Sequence, residues 1–219
     1  MWCIGRLTTE YRERMYDLLA LYAKPYDAAE PVICLDEKSK QLLEQTRRPI
    51  PMAPGQIAKE DYEYQRGGTR NLFVAVEPKG GHREVRVTGR RTKPDFVAFV
   101  KFLALEVYAQ ARKLHLVLDN LNTHFPTSFE EVMGLETAAV FLSRLGFHYT
   151  PKHASWLNMA EIEIGILDRQ CTGRRIGDEA QLRAEVGAWE KRRNDERCCI
   201  EWKFTRQDAD RKLSRHYVS

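Results

Sequence analysis

Two short apolar runs, each closed by an aspartate, constrain the fold of this chain more than any other feature. Residues 32–36 read Val-Ile-Cys-Leu-Asp, and residues 114–119 read Leu-His-Leu-Val-Leu-Asp. Both runs are too short for a helix and rich in β-forming residues, so each predicts a buried strand that ends in an acid. Strands of an open sheet flanked by helices present such ends at one mouth, where Asp36 and Asp119 would converge. The alternative for either aspartate is to cap the helix that follows.

The remaining periodicities predict a hairpin and then an alternation of strands and helices. Further strands are predicted at residues 71–76, 84–88, 146–149 and 200–204, and helices at residues 10–22, 93–112, 127–145, from 158 onward, 178–193 and 205–217. Residues 49–68, which are rich in proline, glycine and charge, predict a long irregular connection. The pattern predicts an α/β fold in which helices flank a mixed sheet. We expect residues 1–30 to form an N-terminal helical extension and residues 31–219 a single domain with a helical C-terminal tail.

Composition narrows the class of protein. Of the 219 residues, 43% are hydrophobic and 30% are charged, and no apolar run approaches the length of about 18 residues that suggests a membrane span. The five cysteines include no Cys-x-x-Cys pair, which disfavours a structural zinc site and indicates reduced thiols. The N-terminus has no basic start followed by an apolar core, so no secretory signal is expected and the predicted location is the cytoplasm.

A polar segment follows the second of the two strands. Residues 119–124 read Asp-Asn-Leu-Asn-Thr-His, whereas a purely structural turn would more usually contain glycine or proline. We therefore expect a functional segment, in which Asn120 and His124 orient the attacking group or bind a phosphate. Hydrogen bonding within the turn is the alternative for both residues.

A third polar segment, residues 148–161, leads from a predicted strand through a proline turn into a helix. Asn158 has the position of the N-cap and Glu161 the third helical position, which is also the arrangement of a capping box. Glu161 is thus either a site residue or a structural partner of the cap. Glu163 points to a different face of this helix, where a change to glutamine is expected to be nearly silent.

These polar segments, in this order, resemble the catalytic domain of DDE transposases, in particular the bacterial insertion-sequence group related to the mariner elements. The resemblance covers nearly the whole chain and rests on strand-Asp36-Glu37, Leu118-Asp119-Asn120-x-x-x-His124 and Tyr149-Thr-Pro-x-x-x-Ser-x-x-Asn158-x-x-Glu161. It implies an RNase H-like fold, metal binding by Asp36, Asp119 and Glu161, and an enzyme that cuts transposon ends and joins them to target DNA. The alternatives are another RNase H-like nuclease and an idle element remnant that binds DNA or a partner chain.

The implied chemistry suits three carboxylates. Two divalent ions about 4 Å apart activate a water or a 3′-hydroxyl and stabilise the leaving oxygen, and Mg²⁺, with Mn²⁺ as a substitute, prefers oxygen ligands. Without metal the three acids would repel one another, and at least one pKa should rise.

Glu37 would face away from Asp36 on an extended backbone, at the surface or in support of the site. The spacing of His124, His148 and His153 is too wide for an ordinary imidazole metal site.

Positive charge is concentrated at the C-terminal end. Residues 169–219 hold 13 Lys and Arg against 9 Asp and Glu, which accounts for the whole net charge of +4. A polyanion should therefore meet this end first, through contacts that hold DNA phosphates without reading sequence. The candidates for these contacts are Lys152, Arg169, Arg174 and Arg175. The alternative is a solvated face in which the arginines pair with acids such as Asp178 and Glu179.

The resemblance implies double-stranded DNA as a partner, both as transposon ends and as target. Related transposases carry N-terminal helix-turn-helix modules that recognise the ends, but only the predicted helix at residues 10–22 precedes the first catalytic strand. Either the protein is a fragment, the product of a split or frameshifted element, or it depends on another chain for end recognition. We expect a homodimer, or a separate chain that carries the end-recognition module, and no membrane partner. The expected location is the bacterial cytoplasm, at the nucleoid when DNA is bound.

Overall fold

One mixed sheet of five strands organises the computed structural model, which describes residues 7–59 and 61–217. The strands are β1 (Val32–Gln45), β2 (Tyr64–Glu77), β3 (His82–Thr88), β4 (Leu114–Leu118) and β5 (Leu145–Tyr149). Their order across the sheet is β3-β2-β1-β4-β5. The first three pair antiparallel, whereas β1, β4 and β5 run parallel. The predicted mixed sheet is confirmed.

Seven α-helices of the described residues flank the sheet. They are α1 (Thr9–Ala23), α2 (Lys93–Phe102), α3 (Pro126–Met133), α4 (Leu135–Leu142), α5 (Met159–Leu167), α6 (Glu179–Asp195) and α7 (Arg206–Leu213). α1 begins one residue before the predicted helix, and the side chain of Thr8 caps it by accepting a hydrogen bond from the backbone N–H of Tyr11. None of the helices in residues 7–59 and 61–217 is long and apolar enough to span a bilayer.

The two faces of the sheet carry separate parts of the core. Ile33 and Leu35 belong to a cluster that α2, α3 and α4 cover, whereas Cys34 belongs to a cluster with α1, α5 and α7. Since successive side chains of a strand point to opposite faces, Asp36 lies on the α5 side and Glu37 on the α2 side. The division of the chain at residue 30 stays a prediction.

The strand that carries Asp36 does not end there, and the prediction that it does is wrong. Its parallel pairing with β4 stops at Cys34, but its antiparallel pairing with β2 continues from Cys34 to Gln45. Asp36 therefore lies just beyond the end of β4 while still inside a paired strand. The predicted irregular connection is also too long, because β2 begins at Tyr64 and includes the last residues assigned to it.

Two predicted helices are shorter or interrupted in the structure. The helix predicted at 93–112 changes to a π-helical turn at Leu103–Val107 and ends there. The helix predicted at 127–145 breaks at Gly134, whose φ of +81° is a left-handed conformation that interrupts a helix.

Residues 200–204 form no strand. The outer edge of β3 is already occupied by α6, since Glu190 and Asn194 of that helix accept hydrogen bonds from the backbone N–H groups of Val85 and Arg83. An additional strand has no free ladder to join at this edge.

Candidate active site

Three acids from different elements face the same end of the sheet. Asp36 lies two residues beyond the last β1 partner of β4, and Asp119 directly follows β4. Glu161 lies in the first turn of α5. The topology therefore brings the parts of the chain that carry the three predicted site residues to one region, although 125 positions separate the first from the last.

The buried amide of Asn158 fixes the start of α5 beside β1. Its Oδ1 accepts from the backbone N–H of Ala160 at 3.1 Å, as an N-cap does. Its Nδ2 donates to the carbonyl of Leu35 at 2.9 Å, one residue before Asp36. The predicted N-cap is confirmed, and the second bond holds the first turn of α5, with Glu161, against the strand that carries Asp36.

The surroundings of Asp36 disfavour the charged form of its carboxyl group. Burial raises its pKa to about 7, and the negative charges of Glu161 and Asp119 act in the same direction. The expected rise of one pKa is present, although burial contributes more than repulsion does. A nearby cation would stabilise the charged form of this carboxyl group.

Glu161 does not close a capping box. Its backbone N–H donates to the carbonyl of Asn158, but within the described residues its exposed side chain makes no hydrogen bond and no salt bridge. The structural alternative for Glu161 therefore receives no support, and its carboxylate is available to a ligand.

His124 connects Asp119 to a second, buried acid. Its Nε2 lies 2.7 Å from Oε1 of Glu37, and its Nδ1 lies 2.7 Å from Oδ1 of Asp119. Burial alone would lower the pKa of His124, but the carboxylates of Asp119 and Glu37 reverse that effect and raise it to about 9. The imidazole packs on the ring of Phe96, with 4.6 Å between centroids.

The sequence alone left two possibilities for Glu37, a position at the surface or a role in supporting the site. The side chain is only 2% exposed, so the surface position is wrong. Glu37 holds His124, and His124 in turn lowers the pKa of Asp119 despite the partial burial of that carboxylate. The signal available in the sequence was the pleat of β1, which directs Glu37 into the core opposite Asp36.

Asn120 is engaged in bonds within the protein. Its Nδ2 donates to the carbonyl of Thr150 at 2.6 Å, and its Oδ1 accepts from the guanidinium of Arg14 on α1. These contacts match the alternative of structural hydrogen bonding, and a phosphate contact by Asn120 stays a prediction.

The donor set fits a divalent cation of the Mg²⁺ type. All three side chains offer carboxylate oxygens, and neither Asp36 nor Glu161 has a cationic partner among the described residues. In residues 7–59 and 61–217 no three His, Cys, Asp or Glu side chains already surround a point where an ion could sit. The side chains would therefore have to turn inward to hold an ion together.

The four basic residues predicted to contact DNA fall into two pairs. Lys152 and Arg169 are exposed and form no salt bridge within the described part of the chain. Arg174 pairs with Glu185, and Arg175 donates to the carbonyl of Asp61 at 2.7 Å. The first pair is free to meet a phosphate, whereas the second pair already stabilises the fold. A DNA contact by any of the four stays a prediction.

Glu163 occupies a very different setting from Glu161. Its fully buried carboxylate pairs with Arg193 at 2.9 Å and with Arg83 at 3.0 Å. The expectation that Glu163→Gln is nearly silent conflicts with this arrangement, because the change would leave buried arginines without their counter-charge. The available signal was the alternation in β3, which puts Arg83 on the same face as the apolar Val85 and Val87.

Comparison with known proteins gives the family. Residues 31–183 match the DDE superfamily endonuclease family, a span that includes all three site acids. The chain belongs to this family. No curated protein matches it.

Two solved structures of Mos1 mariner complexes share this fold. The Mos1 mariner paired-end complex with Mn matches at 14% identity and a TM-score of 0.56, over 90% of this chain and 60% of that one. The Mos1 strand transfer complex matches at 16% identity and a TM-score of 0.56, over 87% of this chain and 57% of that one. This member of the DDE endonuclease family thus has an RNase H-like fold and spans about 60% of the length of these chains.

Proposed function

We propose that this DDE endonuclease chain is the catalytic domain of a transposase, which cleaves DNA strands and transfers them in DNA transposition. The observation that carries the proposal is the meeting of Asp36, Asp119 and Glu161 at one end of the sheet, with two of the three lacking a cationic partner. The family match and the fold shared with Mos1 transposition complexes support the same conclusion.

Asp36, Asp119 and Glu161 would hold the divalent ions, and no serine or cysteine nucleophile is needed. The chemistry that two Mg²⁺ ions supply when bound is activation of the attacking water or 3′-hydroxyl and stabilisation of the leaving oxygen; Mn²⁺ substitutes for Mg²⁺. His124, which contacts the buried Glu37, fixes the carboxylate of Asp119. Asn158 fixes the helix that carries Glu161.

The proposed partner is double-stranded DNA, as transposon ends and as target. The matched structures are paired-end and strand transfer complexes of Mos1, and Lys152 and Arg169 would contact phosphates here. A second copy of this chain, or a separate chain that carries an end-recognition module, would be a further partner. The protein would act in the bacterial cytoplasm, at the nucleoid.

The test is incubation of the chain with supercoiled plasmid. We expect nicked and linear products with Mg²⁺ or Mn²⁺, and none with a chelator or with Asp119→Asn. Glu136→Gln, at an exposed acid of α4, is the matched control and should cleave like the wild type. Cleavage that persists in Asp119→Asn, or DNA binding without cleavage at any metal concentration, would contradict the proposal and favour an idle element remnant.

A further inference from the structure

Two histidines on the α1 side of the sheet form a chain of contacts with two acids. Nδ1 of His115 on β4 lies 2.9 Å from Nε2 of His148 on β5. The outer nitrogen of His148, Nδ1, lies 2.6 Å from Oδ2 of Asp17 on α1. The outer nitrogen of His115, Nε2, lies 3.8 Å from Oε2 of Glu30. Each imidazole therefore has one nitrogen facing its neighbour and one facing a carboxylate.

The number of protons explains why one of the three contacts is long. Each neutral imidazole carries one N–H, so the pair supplies two protons for three contacts. The lengths fit His115 donating to His148, and His148 donating to Asp17. The contact between His115 and Glu30 is then left without a proton, which accounts for its 3.8 Å. A cation between the two inner nitrogens would free one proton for this third contact.

The inner contact is close to the geometry that a transition metal needs. Two Zn–N bonds of about 2.0–2.1 Å at a tetrahedral angle hold the nitrogens roughly 3.3 Å apart. To reach it, the imidazoles would separate by a few tenths of an ångström from their present 2.9 Å and would also tilt, because the two nitrogens now face each other and not one common point. Histidine ligands commonly donate their other N–H to a carboxylate, which fixes the ring and raises its basicity. Asp17 and Glu30 stand where those carboxylates belong.

The ring of His115 has space beside it. The residue opposite it in β5 is Gly146, where a Cβ would approach Nδ1 to 3.1 Å. The imidazole can therefore shift to make room for an ion.

An ion can reach the pair from solvent. A cavity of about 320 Å³ opens beside β4, with His115 and Glu30 in its wall. Its lining carries acids and bases together, Asp27, Glu30 and Glu77 beside Lys24 and Lys79, so its charge does not exclude a cation. The protein would supply two ligands, and water in this space would occupy the other two positions of a tetrahedral ion.

We propose that His115 and His148 bind a single transition-metal ion of the zinc class, with Asp17 and Glu30 holding the two imidazoles. The site lies apart from the acids of the active site and does not depend on the proposed transposase activity. Because Asp17 belongs to α1, a bound ion would join this helix to β4 and β5. Imidazole ligands bind zinc in preference to magnesium, whereas carboxylate ligands suit magnesium.

The test measures Zn²⁺ binding to the whole chain by competition with a chromophoric chelator, in saturating Mg²⁺ to occupy the carboxylates. We expect one Zn²⁺ per chain. His148→Gln should weaken binding at least about tenfold, and Asp17→Asn about 10- to 100-fold, as the loss of an outer carboxylate does elsewhere. His153→Gln, at an exposed loop histidine, is the matched control and should bind like the wild type. Circular dichroism checks that each variant is folded.

Nitrogen NMR of His115 gives a second readout that does not depend on the variants. The proton should lie on Nδ1 without zinc and on Nε2, toward Glu30, with zinc. Equal zinc affinity in wild type and His148→Gln would overturn the proposal. So would zinc binding that disappears in Asp119→Asn but not in His148→Gln, because the ion would then belong to the active site.

Discussion

Glu161 and Glu163 are two residues apart on α5, yet they meet opposite surroundings. Glu163 is fully buried, and two arginines neutralise it. Glu161 is exposed, and within the described residues no cation pairs with it. The same helix thus presents one acid to the core and one to the end of the sheet. The difference separates an acid that the fold itself has neutralised from one that is left for a ligand.

The contrast extends to the neighbours of each glutamate. Arg83, which faces Glu163, also donates to the carbonyls of Gly81 and Cys198, so its charge is held on several sides. Asp36, which senses Glu161, has its pKa raised to about 7 because it is buried without such a partner. A buried ion pair keeps its place through its own contacts, whereas the acids of the proposed active site would be stabilised by a cation that the described residues do not supply.

The largest expected effect is on catalysis, at Glu161. Glu161→Gln keeps the shape of the side chain but removes the charge that would hold an ion, so plasmid cleavage should fall by about 1,000-fold or more, equivalent to roughly 4 kcal/mol. The free energy of unfolding should change by less than about 0.5 kcal/mol, since the side chain is exposed. A variant that cleaves normally would remove Glu161 from the site.

The next effect is on stability, at Glu163. Glu163→Gln leaves the buried Arg83 without its counter-charge and should lower the free energy of unfolding by about 3–5 kcal/mol. Chemical denaturation of this variant beside Glu161→Gln measures the contrast directly. If the two variants unfold at the same denaturant concentration, the proposed division between the two faces of α5 is wrong.

A smaller effect is the pH dependence of the metal-free protein. The pKa of folded Asp36, about 7, lies above its ordinary value of 3.8, so the folded state holds this proton more tightly. Stability should therefore fall as the pH rises from about 4 to about 7. Asp36→Asn should remove this part of the decline and stabilise the chain at pH 8 by about 1–3 kcal/mol.

Unfolding in the presence of a chelator, across that pH range, provides the measurement. Glu136→Gln, an exposed acid, serves as the control and should keep the wild-type profile. If the stability of Asp36→Asn depends on pH in the same way as that of the wild type, the pKa of Asp36 is not raised in the folded protein.

The smallest effect concerns DNA. The double change of Lys152 and Arg169 to alanine should make the log-log salt dependence of DNA affinity shallower by about 2, because each phosphate that a cation neutralises adds about 0.9 to the slope. Arg174→Ala, whose side chain already pairs with Glu185, should change the slope by less than about 0.5. Titration of two unrelated duplexes at several salt concentrations tests both. A larger change for Arg174 would reverse the assignment of the two pairs.

The sequence was sufficient where a local pattern carried the information. The apolar runs before Asp36 and Asp119, and the cap position of Asn158, predicted the elements that form the proposed active site. The extension of β1 to Gln45 was not predictable in this way, because its outer half is polar and is held by pairing with β2. The periodicity of one segment does not show which other strand it pairs with.

Contacts between distant elements were also missed. The partners of Glu163 come from β3 and α6, and His124 meets Glu37 across 87 positions of the chain. Each residue alone has an ordinary solvated alternative, so only the fold decides between the two. Alternation within a strand could have marked Arg83 and Glu37 as inward-facing, but it could not have named their partners.

The central claim, that Asp36, Asp119 and Glu161 together hold divalent metal, is tested most directly by anomalous diffraction from crystals grown with Mn²⁺. We expect an anomalous peak in contact with carboxylate oxygens of all three residues, and no peak at Glu163. A manganese ion bound elsewhere, with the three carboxylates still apart, would contradict the claim.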